Sequence, residues 1–224
     1  MDNVFNFGEV VEGYKIKVLN EREVRAAAGI LLLGLLASLV PILLYGDFLV
    51  IKYYVTMFLT DFIIRVFVNP KFSPSLIIGR LIVGNQTPEY VGALQKKFSW
   101  TIGIFMAGIM FIFLVIVNAY SPITGITCLI CFIFLFFETA FGICLGCKFY
   151  SMFYKEKAQH CPGEVCDLKS GQEIQKTSSA QILIVCGFIL YLLLTVFLLK
   201  DTFSKKPYAL FGSKNSEPYK FELY

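Results

Sequence analysis

Seven cysteines stand in a chain of 224 residues, and six of them fall between positions 128 and 166. Cys144-Leu145-Gly146-Cys147 sets two thiols three positions apart, and Cys161 and Cys166 follow directly after His160, the single histidine. Two thiols on one turn of chain can close a disulfide or pass a sulfane sulfur from one to the other. The thiolate is the nucleophile in either case, and Lys148, Lys155 and His160 close by in sequence would favour it. The same four residues offer a second chemistry. Cys-x2-Cys, thirteen residues, then Cys-x4-Cys supplies four thiolates, the donor set zinc takes in closed tetrahedral sites. A third use is space-filling, because free cysteine packs as a small apolar side chain. That use suits Cys128, Cys131 and Cys186; thiol or sulfur chemistry suits Cys144, Cys147, Cys161 and Cys166.

A second constellation is ionisable. Asp61 and Arg65 are four apart, so on a helix they share a face and can pair. Glu138 lies in another apolar stretch at a similar depth, so Arg65 is expected to bridge both carboxylates. A charge at the centre of a bilayer costs about 2.5–3.5 kcal/mol on insertion scales, so such groups turn inward and find partners. They would either fix helix packing or line a path for a proton or an anion. Lys52, near a helix end, is expected to snorkel to the interface.

The elements that must hold these residues follow from composition. Of the chain, 57% is AVILMFWYC and only 16% is charged, with mean hydropathy +0.69. A soluble fold carries about 25% charged residues, so a water-soluble enzyme and a disordered chain are both excluded. Spanning helices need about 20 apolar residues, and five stretches supply them: 24–44, 47–68, 98–119, 123–147 and 180–199. The fold class is therefore an all-α integral membrane protein of four to five transmembrane helices. A leader (1–23) precedes a four-helix membrane domain (24–150); a cysteine-bearing loop (151–179), a fifth span and a polar tail (200–224) follow. Asn20 and Glu23 have capping-box spacing at the first helix start, and that span reads as retained rather than cleaved.

Lysine and arginine set the orientation. Lys15, Lys17, Arg22 and Arg25 precede the first span. Lys71, Arg80, Lys96 and Lys97 follow the second, and Lys148, Lys155, Lys157, Lys169 and Lys176 follow the fourth. The turns near Gly46 and over 120–125 carry none. This predicts a plasma-membrane protein with its amino terminus in the cytoplasm. Lys200, Lys205, Lys206, Lys214 and Lys220 disagree, so the fifth segment either crosses fully against the rule or does not cross. Loop charge also places the cysteine pairs on the reducing side, which argues against a static disulfide framework. Between 69 and 97, Asn69-Pro70 and Ser73-Pro74 break helix, and the short apolar run 75–84 is expected as an interfacial or re-entrant helix.

On a continuous fourth helix, Cys128, Cys131 and Glu138 share one face while Cys144 and Cys147 point away, and about 24 Å separates Cys128 from Cys144. Gly142 and Gly146 have small-xxx-small spacing for close helix approach. No phosphate-binding glycine loop, no Ser-His-Asp set and no aromatic–basic stripe is present, so ATP-driven transport by this chain and nucleic-acid binding are excluded.

Several of these segments together resemble a known family. They are Val18-Leu19-Asn20-Glu21-Arg22-Glu23-Val24-Arg25-Ala26, then Asp61 with Arg65, Asn69-Pro70-Lys71-Phe72-Ser73-Pro74 and Gln95-Lys96-Lys97-Phe98. Glu138 through Phe141-Gly142-Ile143-Cys144-Leu145-Gly146-Cys147 and Tyr150 complete the set. The chain resembles, over about 15–168, the bacterial integral-membrane family "domain of unknown function 4395". That family has no assigned activity. Its members occur near thioredoxin-like and sulfurtransferase proteins, so the resemblance implies a soluble partner of that kind. The expectation is a protein of the lipid bilayer that exchanges electrons or sulfur through thiols at its cytoplasmic face. The alternatives are a permease for a small anion or sulfur compound, and a scaffold with a structural zinc knob.

Overall fold

Asn20, Ser121 and Ser178 cap three of the long helices, and two of these end on a glycine with positive φ, so local chemistry sets much of the architecture. In the computed structural model, which describes residues 7–11, 16–148 and 178–209, the order is β1 (Val18–Asn20), α1 (Glu21–Tyr45), α2 (Leu49–Ile63), α3 (Pro74–Val83), β2 (Tyr90–Gly92), α4 (Ala93–Phe111), β3 (Ala119–Tyr120), α5 (Pro122–Phe141), α6 (Ser179–Phe203) and β4 (Tyr208–Ala209). Both α2 and α4 run on into a π-helical turn, Ile64–Val68 and Ile112–Ile116. Helices α1, α2, α4 and α5 form the bundle; α3 packs on α1, and α6 lies along α2 and α3.

Four helices among the described residues are long and apolar enough to cross a bilayer: Glu21–Tyr45, Ala93–Ile116, Pro122–Phe141 and Ser179–Phe203. The expected second span exists as α2 and its π turn, but it carries Lys52, Asp61 and Arg65 and is the buried centre of the bundle. Polar groups inside and Leu33, Leu43, Phe105, Leu129, Leu183 and Phe197 outside is the arrangement a lipid solvent favours.

Several expectations change. Asn20 does cap α1, accepting from Arg22 N at 3.2 Å, but the reciprocal arm of the box is absent. Asn20 Nδ2 donates to Glu23 Oε1 at 3.0 Å, and Glu23 Oε2 takes Arg80 Nε at 3.0 Å. A guanidinium from α3 is the stronger partner for a buried carboxylate. The run 75–84 does form a helix, α3, held so close to α1 that a Cβ on Gly79 would lie 2.7 Å from the Glu23 carbonyl oxygen. Helix α4 starts at Ala93, not 98, because β2 pairs antiparallel with β1 and delivers the chain there.

The fifth segment traverses the bundle. At its start Gln181 Nε2 donates to the Lys71 carbonyl at 3.0 Å. Along its length Tyr191 meets Thr60. At its end the Lys52 ammonium donates to Asn118 Oδ1 (2.7 Å) and to the Phe203 and Lys205 carbonyls (3.2 and 2.6 Å). At ~1.5 Å per residue, its 25 residues span the whole stack. Lys52 is therefore buried, not snorkelling: its three donors meet three acceptors at the carbonyl end of α6, where a helix dipole favours a cation.

Candidate functional site at the basic end of the bundle

Gly142 stops α5 with φ +66°, its N–H returning to the Glu138 carbonyl. Composition continues apolar past this point, which is why a helix to 147 is expected; the left-handed glycine ends it six residues sooner. The chain leaves helix only over 142–144 and is helical again over 145–148, so Cys144 stands at the start of that segment and Cys147 within it, and the expected opposition of the two cysteine pairs on one continuous helix does not hold. The segment 145–148 packs closely on α4: a Cβ on Gly146 would press on Ser99, at 2.6 Å from its Cβ and 2.8 Å from its Cα. Gly146 does permit close approach, of the helical segment 145–148 to Ser99 on α4.

Cys144 and Cys147 are joined as a disulfide, their Cα atoms 5.2 Å apart, inside the range such a bond requires. Among the described residues this is one disulfide where loop charge argues against a static framework, because residues three apart at the start of a helical segment bring their two thiols within bonding reach. The sulfurs differ in surroundings: Cys144 is half-buried and Cys147 buried, and Cys147 N donates to Cys144 Sγ at 3.2 Å. Replacing Gly146 with Ala forces the segment off Ser99. We expect a loss of roughly 1–3 kcal/mol from overpacking and slower closure of the disulfide, read by thermal melting and by thiol alkylation after reduction.

One turn before Ser99 on α4, Lys96 is 1% exposed and lies between two carboxylates: Glu138 Oε1 at 2.5 Å and Glu21 Oε2 at 2.8 Å. Glu138 comes from the last turn of α5 and Glu21 from the first of α1, so one ammonium ties three helices. The expected bridge from Arg65 to Glu138 is not made. Arg65 Nη2 instead donates to Asp61 Oδ2 at 2.8 Å and to Ser75 Oγ, its Nε reaches Ser73 Oγ, and its guanidinium lies between the rings of Phe62 and Trp100. Asp61 in turn accepts from Ser73 Oγ, Ser75 Oγ and Ser75 N at 2.6–3.0 Å. The carboxylate thus sits at the amino end of α3, where the helix dipole stabilises negative charge.

Two small cavities run along the bundle and share Phe58, Cys131 and Leu135. One, about 20 Å³, reaches Cys128; the other, about 50 Å³, reaches Arg65, Ser99 and Glu138. Cys128 and Cys131 are unpaired and partly buried, Cys186 is exposed. Cys161, Cys166 and His160 lie outside the described residues, as does most of the expected loop. Among the described residues no group of three or more His, Cys, Asp or Glu side chains is arranged to hold a metal.

Reading by type and spacing missed Lys96, Glu21, Ser73, Ser75 and Ser99. A usable signal existed for Lys96: with a helix begun at Ala93 it lies one turn in, on the face of Ser99. The serines stand in the Ser73-Pro74-Ser75 turn, where a cap is to be expected. Neither a curated protein nor a solved structure matches the chain. The family model described as "Domain of unknown function (DUF4395)" matches residues 19–155, more than half of the sequence, and the chain belongs to that family.

Proposed function

We propose that this protein exchanges electrons or sulfur with a soluble thioredoxin-like or sulfurtransferase partner through Cys144 and Cys147, at the cytoplasmic face of the plasma membrane, with Cys161 and Cys166 as a second pair. The observation that carries this is the disulfide of unequal exposure, set at the start of the helical segment 145–148 at the same end of the bundle as the Glu21–Lys96–Glu138 cluster. A partner thiolate attacks the more exposed Cys144 sulfur; the S–S bond breaks, and Cys147 leaves as a thiolate and takes a proton. The partner's second thiolate then attacks the partner's own sulfur in the mixed disulfide, releasing Cys144. The partner is oxidised by two electrons, and the pair gains two electrons and two protons. Run in reverse, the dithiol reduces the partner. The cytoplasmic assignment draws on Lys17, Arg22, Arg25, Lys71, Lys96 and Lys97, all at the end that carries the cysteine pair.

The full-length protein with Cys161 and Cys166 replaced by Ser, in detergent, equilibrated in thiol–disulfide buffers and then alkylated with a polyethylene-glycol maleimide, should show one two-electron transition. Cys144→Ser and Cys147→Ser should each abolish it. In intact cells a membrane-impermeant maleimide should leave Cys144 unlabelled until lysis. A missing transition, labelling from outside, or about one tightly held zinc per reduced chain would each remove this reading.

A second reading, passage of a small anion or sulfur compound along the bundle, draws on the two cavities that meet at Cys131. Vesicle flux of sulfide or thiosulfate that Cys131→Phe blocks would favour it.

A further inference from the structure

A cleft of about 440 Å³ opens at the basic end of the bundle, walled by Arg22, Arg25, Val83, Gln86, Glu89 and Thr139. Its two guanidinium groups differ. Arg22 is spent: its Nη2 and Nε meet Glu89 Oε1 at 2.6 and 3.0 Å, and its Nη1 meets Gln86 Oε1 at 3.2 Å. Arg25 makes no hydrogen bond or ion pair among the described residues. Glu21, which Arg25 acts on electrostatically, is itself held by Lys96. The Arg25 guanidinium rests on the turn that ends α5: a Cβ on Gly142 would lie 3.0 Å from its Cζ and Nη1. Cys144 is two residues further on, so its sulfur is within ~15 Å of that guanidinium by chain length alone. Thr139, on the same wall, donates its hydroxyl to the Leu135 carbonyl at 2.7 Å and so leaves Arg25 as the donor of this wall.

We propose that this cleft binds the anionic group, a carboxylate or sulfur oxyanion, of a small thiol or disulfide that reacts at Cys144, with Arg25 as the binding residue. The inference rests on the thiol reading above and adds the charge of the substrate. A guanidinium offers a planar fork of donors that fits a carboxylate or oxyanion in two hydrogen bonds. With Arg22 neutralised by Glu89, the cleft takes one negative charge. In the reaction the Cys144 thiolate attacks RS–SR; the S–S bond breaks, RS⁻ leaves and takes a proton from water, and Cys144–S–S–R remains. Cys147 thiolate then attacks Cys144, releasing the second RS⁻. Two thiols of the protein become one disulfide and RSSR becomes two RSH.

The test uses the full chain in phosphatidylcholine discs, reduced, with three disulfides of matched size: 3,3′-dithiodipropionate (anionic), 2-hydroxyethyl disulfide (neutral) and cystamine (cationic). Rates are read as mixed disulfide mapped to Cys144 by mass spectrometry, in Cys147→Ser to hold that adduct. Each is divided by the rate of a free thiol with the same reagent. The anionic-to-neutral ratio should exceed one and fall about tenfold in Arg25→Gln, with Arg25→Lys between, as loss of a charge-assisted hydrogen bond predicts. Because Arg25 also favours the thiolate, all three rates can fall in Arg25→Gln; only the ratio reports binding. An unchanged ratio overturns the inference while leaving thiol exchange standing. No adduct with any reagent overturns both. If phosphatidylglycerol in the discs erases the anionic preference of the unsubstituted Arg25 protein, the cleft belongs to a lipid headgroup and the inference is likewise overturned.

Discussion

Lys96→Met should lower stability by roughly 3–5 kcal/mol, the effect of removing one partner from a buried ion pair. For a chain of this size that is a fall in melting temperature of roughly 6–20 °C. The ammonium is 1% exposed and touches two carboxylates that are themselves only 14% and 12% exposed. Methionine fills the volume but leaves Glu21 and Glu138 facing each other without a counter-charge, at the junction of α1, α4 and α5. The double variant Lys96→Met/Glu138→Gln separates charge from packing. If like-charge repulsion is the main cost, the double variant melts above Lys96→Met, although it has lost one more native group. Equal melting of the two would mean that the methionine fails for steric reasons. A Lys96→Met protein within ~2 °C of wild type would mean that the cluster holds nothing together. Closure of the Cys144–Cys147 disulfide should also slow, because Ser99, on which Gly146 rests, is one turn from Lys96 on the same helix.

Lys96 shows where sequence reading stops. By sequence it falls in a loop, because the apolar run begins at 98 and a charge pair such as Lys96-Lys97 is normally solvated. What brings it inside is the β1–β2 pairing, a contact over some seventy residues that leaves no local trace. Asp61 and Arg65 were legible, because an i,i+4 pair on an apolar helix has few other uses, and so was the bend at Pro70 and Pro74. The partner of Glu138 was not: a helical wheel gives the inward face but not which cation arrives there. Gly142 was half legible. Its type signals a helix stop, but its spacing from Gly146 and the apolar residues around it pointed to continuation, and the stop won. For Lys52 the sequence shows its own helix alone, whereas its environment is made by the far end of α6, more than 140 residues later.

Asp61→Ala should be as costly as Lys96→Met, for a related reason. The alanine removes the acceptor for Arg65 Nη2, for both Ser73 and Ser75 hydroxyls, and for the backbone N–H of Ser75. Arg65 is 2% exposed on its side chain and cannot reach water. Its contacts with Phe62 and Trp100 are worth about 0.5–2 kcal/mol together with desolvation, too little to offset an unpaired buried charge at roughly 3–5 kcal/mol. Asp61→Asn keeps the shape and some hydrogen bonds, so its loss should be nearer ~1.5–3 kcal/mol. Asp61→Leu/Arg65→Met removes both charges and should recover much of the Asp61→Ala deficit, since an apolar pair of similar volume is often neutral in such sites. The residual deficit in that double variant belongs to the amino end of α3, and should appear as faster proteolysis between residues 69 and 92 with the rest of the bundle intact. If Asp61 instead carried a proton or an anion across the bundle, Asp61→Asn would remove vesicle flux at nearly unchanged melting temperature. Thiol exchange at Cys144 in Asp61→Leu/Arg65→Met then decides between the two roles: retained, Asp61 and Arg65 anchor the 69–75 bend to α2; lost in a protein that still melts cooperatively, they act in the chemistry.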